Sequence, residues 1–191
     1  MEKIFATIDA QGFVNNGKFI IRELAFNSAD WCMCTEVDND LIFHELSYQE
    51  QESIRFNTKY VHALRLRPKT YTFIRQEDVA PMLRQVYHRL HTEEKPYFGV
   101  KNNQFGEMLK DLNIPHIQLD AVPSCGMLDN YYKTKHLCEF HERETEGICA
   151  MRKVTNMWKW IQETIRVDEF MYWINDEDVK FLGKLCINYW Y

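Results

Sequence analysis

Apolar and polar positions alternate in the first part of the chain and recur at helical spacing later. Lys3-Ile4-Phe5-Ala6-Thr7-Ile8 is a short β-prone run that ends at Asp9 and a turn-like Gly12. Lys18 to Phe26 reads as a second strand, and the Asn15-Asn16-Gly17 loop between the two apolar runs predicts a hairpin. A third strand is expected near Leu41-Ile42-Phe43-His44. Helical spacing takes over at Tyr48 to Phe56 and at Glu77 to Leu90, where Val79, Met82, Leu83, Val86 and Leu90 form one stripe. Pro96 to Val100 has the pattern of a short buried strand, Gln104 to Leu112 that of a helix, and Ile117-Gln118-Leu119 that of another strand. Strand, helix, strand at this spacing is a βαβ unit, which implies a parallel pair with a right-handed crossover. Val154, Met157, Trp158, Ile161 and Ile165 mark a helix over 149–165, and a last helix is expected over Asp176 to Cys186.

Antiparallel strands followed by βαβα define the α/β class, with a mixed sheet flanked by helices. Ribonuclease H-like folds have this order, and so do other mixed α/β folds. A chain of 191 residues suits a single domain, with a core at about 3–165 and a C-terminal helical extension at about 166–191. Hydrophobic residues make up 46% and charged residues 27%, the balance of a folded protein. A net charge of -5 argues against a broadly basic nucleic-acid binder but leaves room for a local basic patch. No apolar run is long enough to span a bilayer, and the first residues lack the apolar stretch of a secretion signal. The expectation is an intracellular protein of cytoplasm, nucleus or both, with no membrane partner.

Six cysteines without such a signal read as reduced thiols or metal ligands. Cys138-x-x-His141-x7-Cys149 supplies three of the four ligands that zinc takes. The other reading makes Cys138 and Cys149 small core residues and His141 a surface histidine. The polar, loop-like stretch between the cysteines, Glu142 to Gly147, argues against that. His88 and His91 lie three apart with no acidic or cysteine partner in view, and read as a solvated helix end. Cys32 and Cys34 alternate as in a strand, both sulfurs on one face, which suggests core or edge packing.

The Cys138-x-x-His141-x7-Cys149 segment, followed by an apolar helix, resembles the end of the Maelstrom domain. That family has a ribonuclease H-like fold, is related to DEDDh exonucleases and belongs to the piRNA pathway of small-RNA silencing. It binds zinc through a Glu-Cys-His-Cys set, and the resemblance implies Glu23, on the second strand, as the glutamate beside Cys138, His141 and Cys149. The zinc so implied is structural. Asp9 stands where DEDDh exonucleases place their first acid, but Asp9-Ala10-Gln11 offers a neutral amide where Asp-x-Glu is needed, and no later His-x4-Asp completes the set. Two-metal exonuclease chemistry is therefore not expected, and an RNA nuclease with a non-standard active site is kept as a further alternative.

Arg65, Arg67, Lys69, Tyr71 and Arg75, interleaved with aromatics, form the candidate surface for single-stranded RNA. A charged edge strand protected against aggregation accounts for the same pattern. Trp173 and the terminal Tyr189-Trp190-Tyr191 make an apolar tail suited to its own domain or to a protein partner. Ile8 to Phe13 and Phe19 to Ala25 also resemble virus-like reading frames. The alternative function is accordingly a protein-interaction module, virus- or transposon-derived, on the same fold.

Overall fold

The computed structural model describes residues 2–121, 125, 138–141 and 149–172, with side chains of the last helix described as far as 164. Strands β1 (Ile4–Asn15) and β2 (Lys18–Ser28) form the expected hairpin. Asn16 and Gly17 close it with φ of 49° and 74°, the positive values that a two-residue primed turn requires. β1 does not stop at Asp9 or turn at Gly12. Gly12 marks a bulge instead: the register passes from Gln11 opposite Glu23 to Gly12 opposite Ile21, so Arg22 has no opposite residue on β1. A Cβ at Gly12 would lie 1.9 Å from the Ile20 carbonyl oxygen, so the two backbones approach too closely for any side chain. Gly12→Ala is expected to destabilise the fold by about 1–3 kcal/mol through overpacking. A thermal melt unchanged from wild type would show that the bulge yields freely.

The third strand is β3 (Cys32–Asp38), not Leu41 to His44; Phe43–Glu45 forms a single 3-10 turn. The chain leaves the sheet because the Asn39 side chain accepts the Leu41 N–H at 3.1 Å, a local turn that competes with strand pairing. Helix α1 (Tyr48–Phe56) starts at a capping box of Ser47 and Glu50. A short edge strand, β4 (Phe73–Arg75), leads directly into α2 (Gln76–Leu90). The βαβ unit follows as expected: β5 (Tyr97–Val100), α3 (Asn103–Asp111) and β6 (His116–Gln118), with β5 and β6 parallel. Helix α4 (Ala150–Tyr172) runs unbroken through 165, where the sequence pattern ended the core. The expected helix over Asp176 to Cys186 and the aromatic tail lie outside the described residues.

The six strands form one mixed sheet in the order β4-β3-β2-β1-β5-β6. β2 lies between β1 and β3 and runs antiparallel to both, β5 runs parallel to β1, and β4 lies parallel to β3. Alternate residues of β2 serve two cores. Leu24 and Phe26 join Val79 and Leu83 of α2 and Phe105 and Leu109 of α3, whereas Ala25 joins Val154, Met157 and Trp160 of α4. Because successive strand residues point to opposite faces, α2 and α3 cover one side of the sheet and α4 the other. Thr7 on β1 ties α4 down by donating its hydroxyl to the Val154 carbonyl at 2.8 Å. Among the described residues no helix is long and apolar enough to cross a membrane.

Candidate metal centre

Glu23 lies on β2, fully buried, two residues from Ala25 and therefore on the face covered by α4. Its cross-strand neighbour on β3 is Glu36, which is also buried. Two carboxylates directly opposite one another repel, and a buried charge without a partner is costly, so each requires its own compensation. Glu36 has Arg22, whose buried guanidinium stands 3.4 Å away and also donates to the carbonyls of Arg65 and Val37. Glu36 further accepts the backbone N–H groups of Lys69 and Thr70 and the Thr70 hydroxyl at 2.7–2.9 Å. Arg22 is thus committed, and Glu23 must be balanced by something else.

That compensation comes from the far end of the chain. Cys138 Sγ lies 2.7 Å from Glu23 Oε1, Cys149 Sγ 3.4 Å from the same oxygen, and His141 Nε2 3.3 Å from both carboxylate oxygens. The two sulfurs are 3.6 Å apart, and one donor atom from each of the four residues fits within a 4.8 Å span. Ala150, the first residue of α4, donates its N–H to Glu23 Oε2 at 3.0 Å, which places the carboxylate at the positive end of the helix dipole. The ring of His141 is fixed from behind, where Nδ1 bonds the carbonyl oxygen of His62. The proton therefore resides on Nδ1 and leaves Nε2 facing the cluster, the outer hydrogen bond that orients metal-binding histidines. Ala63, in the left-handed region at φ 54°, turns the backbone just after that carbonyl.

Burial works against the Glu23 anion, but the His141 hydrogen bond and charge, the Cys138 thiol and the Ala150 N–H hold its carboxyl below the usual range. Burial also opposes the His141 imidazolium, yet bonding to Cys149 and Glu23 lifts its pKa to about 10. The hydrogen bond between the two sulfurs brings the Cys149 pKa down in spite of burial, while Cys138 is pushed far up. One carboxylate, one thiolate, one imidazolium and one thiol leave the buried group with an excess negative charge. A divalent cation would take the place of the protons on His141 and Cys138, leaving the total charge of the group unchanged. Two sulfurs, one imidazole nitrogen and one carboxylate oxygen suit zinc, and four protein donors leave no position for water.

The chain matches no protein-family model, no curated protein and no solved structure. The geometry therefore stands on its own. Asp9 is buried on the same sheet face as Thr7, and its neighbour is the amide of Gln11, which donates to it at 2.7 Å. Among the described residues no metal-sized group of acidic, cysteine or histidine side chains includes Asp9.

The basic stretch is loop rather than edge strand, apart from Phe73–Arg75 in β4. Arg67 bonds Asp38 at 3.0 Å and the Asn39 carbonyl, and Arg75 lies 3.6 Å from Glu77. Lys69 reaches across to the Glu139 carbonyl at 2.9 Å, next to Cys138. Arg65 meets Arg22 through its carbonyl, and Tyr71 is fully exposed. The sequence pattern alone did not assign this stretch its role as a strap, wrapping Glu36 and steadying the Cys138 turn. No local spacing signals that role, because Glu36 and Lys69 are 33 positions apart. His91 stacks on Tyr87 at the end of α2, with centroids 4.4 Å apart, as suits a helix terminus. Cys34 packs against the second core, as its strand position suggests, and its sulfur also lies 3.4 Å from Glu23 Oε1.

Proposed function

We propose that this chain is a zinc-clasped domain of ribonuclease H-like type, similar to the Maelstrom domain in its donor set. In this reading it has lost exonuclease chemistry and acts by binding single-stranded RNA in small-RNA-linked silencing. The convergence of Glu23, Cys138, His141 and Cys149 carries the reading, because one carboxylate oxygen, two sulfurs and one imidazole nitrogen within 4.8 Å of one another make the four-donor set that zinc takes. The sheet order β3-β2-β1-β5-β6, antiparallel then parallel, supports the fold assignment. Gln11 beside Asp9 supports the loss of chemistry, since an amide cannot bridge two metal ions as a carboxylate does. The zinc would fasten β2 to the start of α4 and supply stability rather than activate water.

Exposed aromatic and cationic groups support the RNA reading. Tyr71 and Phe73 lie exposed beside Arg75, and on another segment Phe56 and Tyr60 pair at 5.2 Å with Lys59 over the Tyr60 ring at 4.9 Å. Such faces stack on bases while the cations meet phosphates. Filter binding of a labelled single-stranded RNA oligonucleotide is expected to give micromolar affinity that falls as salt rises. Tyr71→Ala is expected to weaken it roughly 5- to 150-fold, the equivalent of one stacked base. Absence of salt-sensitive binding at micromolar protein would end this reading. It would leave the protein-interaction module, which the net charge of -5 and the exposed Tyr48 and Phe56 favour.

A further inference from the structure

The His62 ring is buried although Lys59, Tyr60 and Arg65, on either side of it in the chain, are exposed. Its Nδ1 accepts the Leu64 N–H at 3.0 Å, the bond by which asparagine and aspartate side chains tighten a turn, made here by an imidazole. The residue spanned by that bond, the fully buried Ala63, is drawn into the left-handed region at φ 54°. Alanine seldom takes that conformation, which persists only where the surroundings hold it. On its other side the ring meets Phe13 of β1 edge-on, with centroids 4.9 Å apart. The backbone around it is committed too. The His62 N–H bonds the Asn57 carbonyl at 3.0 Å and closes the wide turn Asn57–Val61, and the Thr58 hydroxyl donates to the Leu64 carbonyl at 2.9 Å. Wide turns of this kind are rare and concentrate at functional sites. What this frame presents is the His62 carbonyl, which takes the Nδ1–H of His141.

We propose that His62 is a positioning residue of the metal centre: by holding the Leu64 N–H, its ring fixes the turn that aims its own carbonyl at His141, and so sets the tautomer and angle at which Nε2 meets the ion. This rests on the zinc-clasp reading above, with Glu23, Cys138, His141 and Cys149 as the donors. His62 lies outside that group and acts on the metal only through His141. Its side chain is what keeps the carbonyl in place, because without an acceptor at Nδ1 the Leu64 N–H is left buried and unpaired, and Ala63 loses the bond that spans its left-handed turn. A carbonyl free to swing away lets the His141 ring rotate and its tautomers mix. Losing such an outer partner of a metal-binding histidine typically costs about 10- to 100-fold in metal affinity.

Zinc affinity of the full chain, read by competition with a chromophoric chelator, separates the acceptor from the bulk of the ring. His62→Asn keeps an oxygen where Nδ1 stands but gives up much of the packing on Phe13, whereas His62→Phe keeps a ring and has no acceptor. His62→Phe is expected to bind zinc about 10- to 100-fold more weakly than wild type, and His62→Asn to recover most of that loss. A merely space-filling residue gives the opposite order, and that order, or equal affinities in the two variants, would overturn the assignment while leaving the clasp standing. Proton–nitrogen correlation spectra of the zinc-loaded wild type read the arrangement without any variant. The proton is expected on Nε2 of His62 and on Nδ1 of His141; a proton on Nδ1 of His62 would overturn the proposal. Wild type that takes up no zinc would overturn the clasp, and this role with it.

Discussion

Cys138→Ser is expected to yield protein with well under one zinc per chain and a melting temperature lower by roughly 6–20 °C. The serine hydroxyl is a poor zinc ligand, so the ion is lost and the buried Glu23 with its neighbours is left uncompensated. Removing one partner from a buried charged group typically costs about 3–5 kcal/mol. In a chain of this size about 1 kcal/mol moves the midpoint by about 2–4 °C, which gives the stated range. Elemental analysis of the purified protein reads the first quantity and scanning calorimetry the second. Cys32→Ser serves as the control, because Cys32 is exposed and touches Met151 rather than Glu23. A wild-type protein free of zinc, melting where Cys138→Ser melts, would remove the clasp.

The second large effect is expected at Glu36. Glu36→Ala strands the Arg22 guanidinium in the interior and takes the acceptor from the Lys69 and Thr70 N–H groups, a loss of about 3–5 kcal/mol in chemical denaturation. Burial already pulls the Arg22 pKa down, with Glu36 the principal charge holding it up, so the variant also removes the main reason for that arginine to stay charged. The damage extends to the metal centre, because Lys69 holds the Glu139 carbonyl beside Cys138. Zinc affinity of Glu36→Ala, measured by chelator competition, should therefore fall even though Glu36 touches none of the donors. Unchanged affinity in a folded variant would show that the strap is independent of the clasp.

The parts of this structure legible in the sequence are those governed by local rules. Asn16-Gly17 announced its hairpin because few residues tolerate the positive φ of that turn, and the βαβ unit followed from apolar runs at the right spacing. Cys138, His141 and Cys149 declared themselves by proximity, whereas Glu23 became a candidate only through the family resemblance. What stayed hidden depends on cross-strand register. Arg22 and Glu36 look like surface charges until the bulge at Gly12 and the pairing of β2 with β3 bring them inside. The approach of the Cys34 sulfur to Glu23 was hidden as well, because it is set by a hydrogen-bond ladder that no spacing within one strand encodes. The third strand was misplaced for a related reason: β3 opens on the exposed Cys32 and Met33 and carries Thr35 and Glu36, while the more apolar Leu41 to Phe43 is turned away by Asn39.

The clasp also has a timetable. Glu23 and Cys138 are separated by 115 residues, so at about 5–20 residues per second a ribosome completes the second roughly 6–23 s after the first. The hairpin and the Arg22–Glu36 pair can be finished within that interval, for their partners are made early. Cys138, His141 and Cys149 emerge later and nearly together, a compact trio able to capture an ion before it meets the sheet. On the zinc-clasp reading, supply of the metal once Cys149 has been made governs when α4 docks, and a chain starved of it is delayed with its second core still open to water.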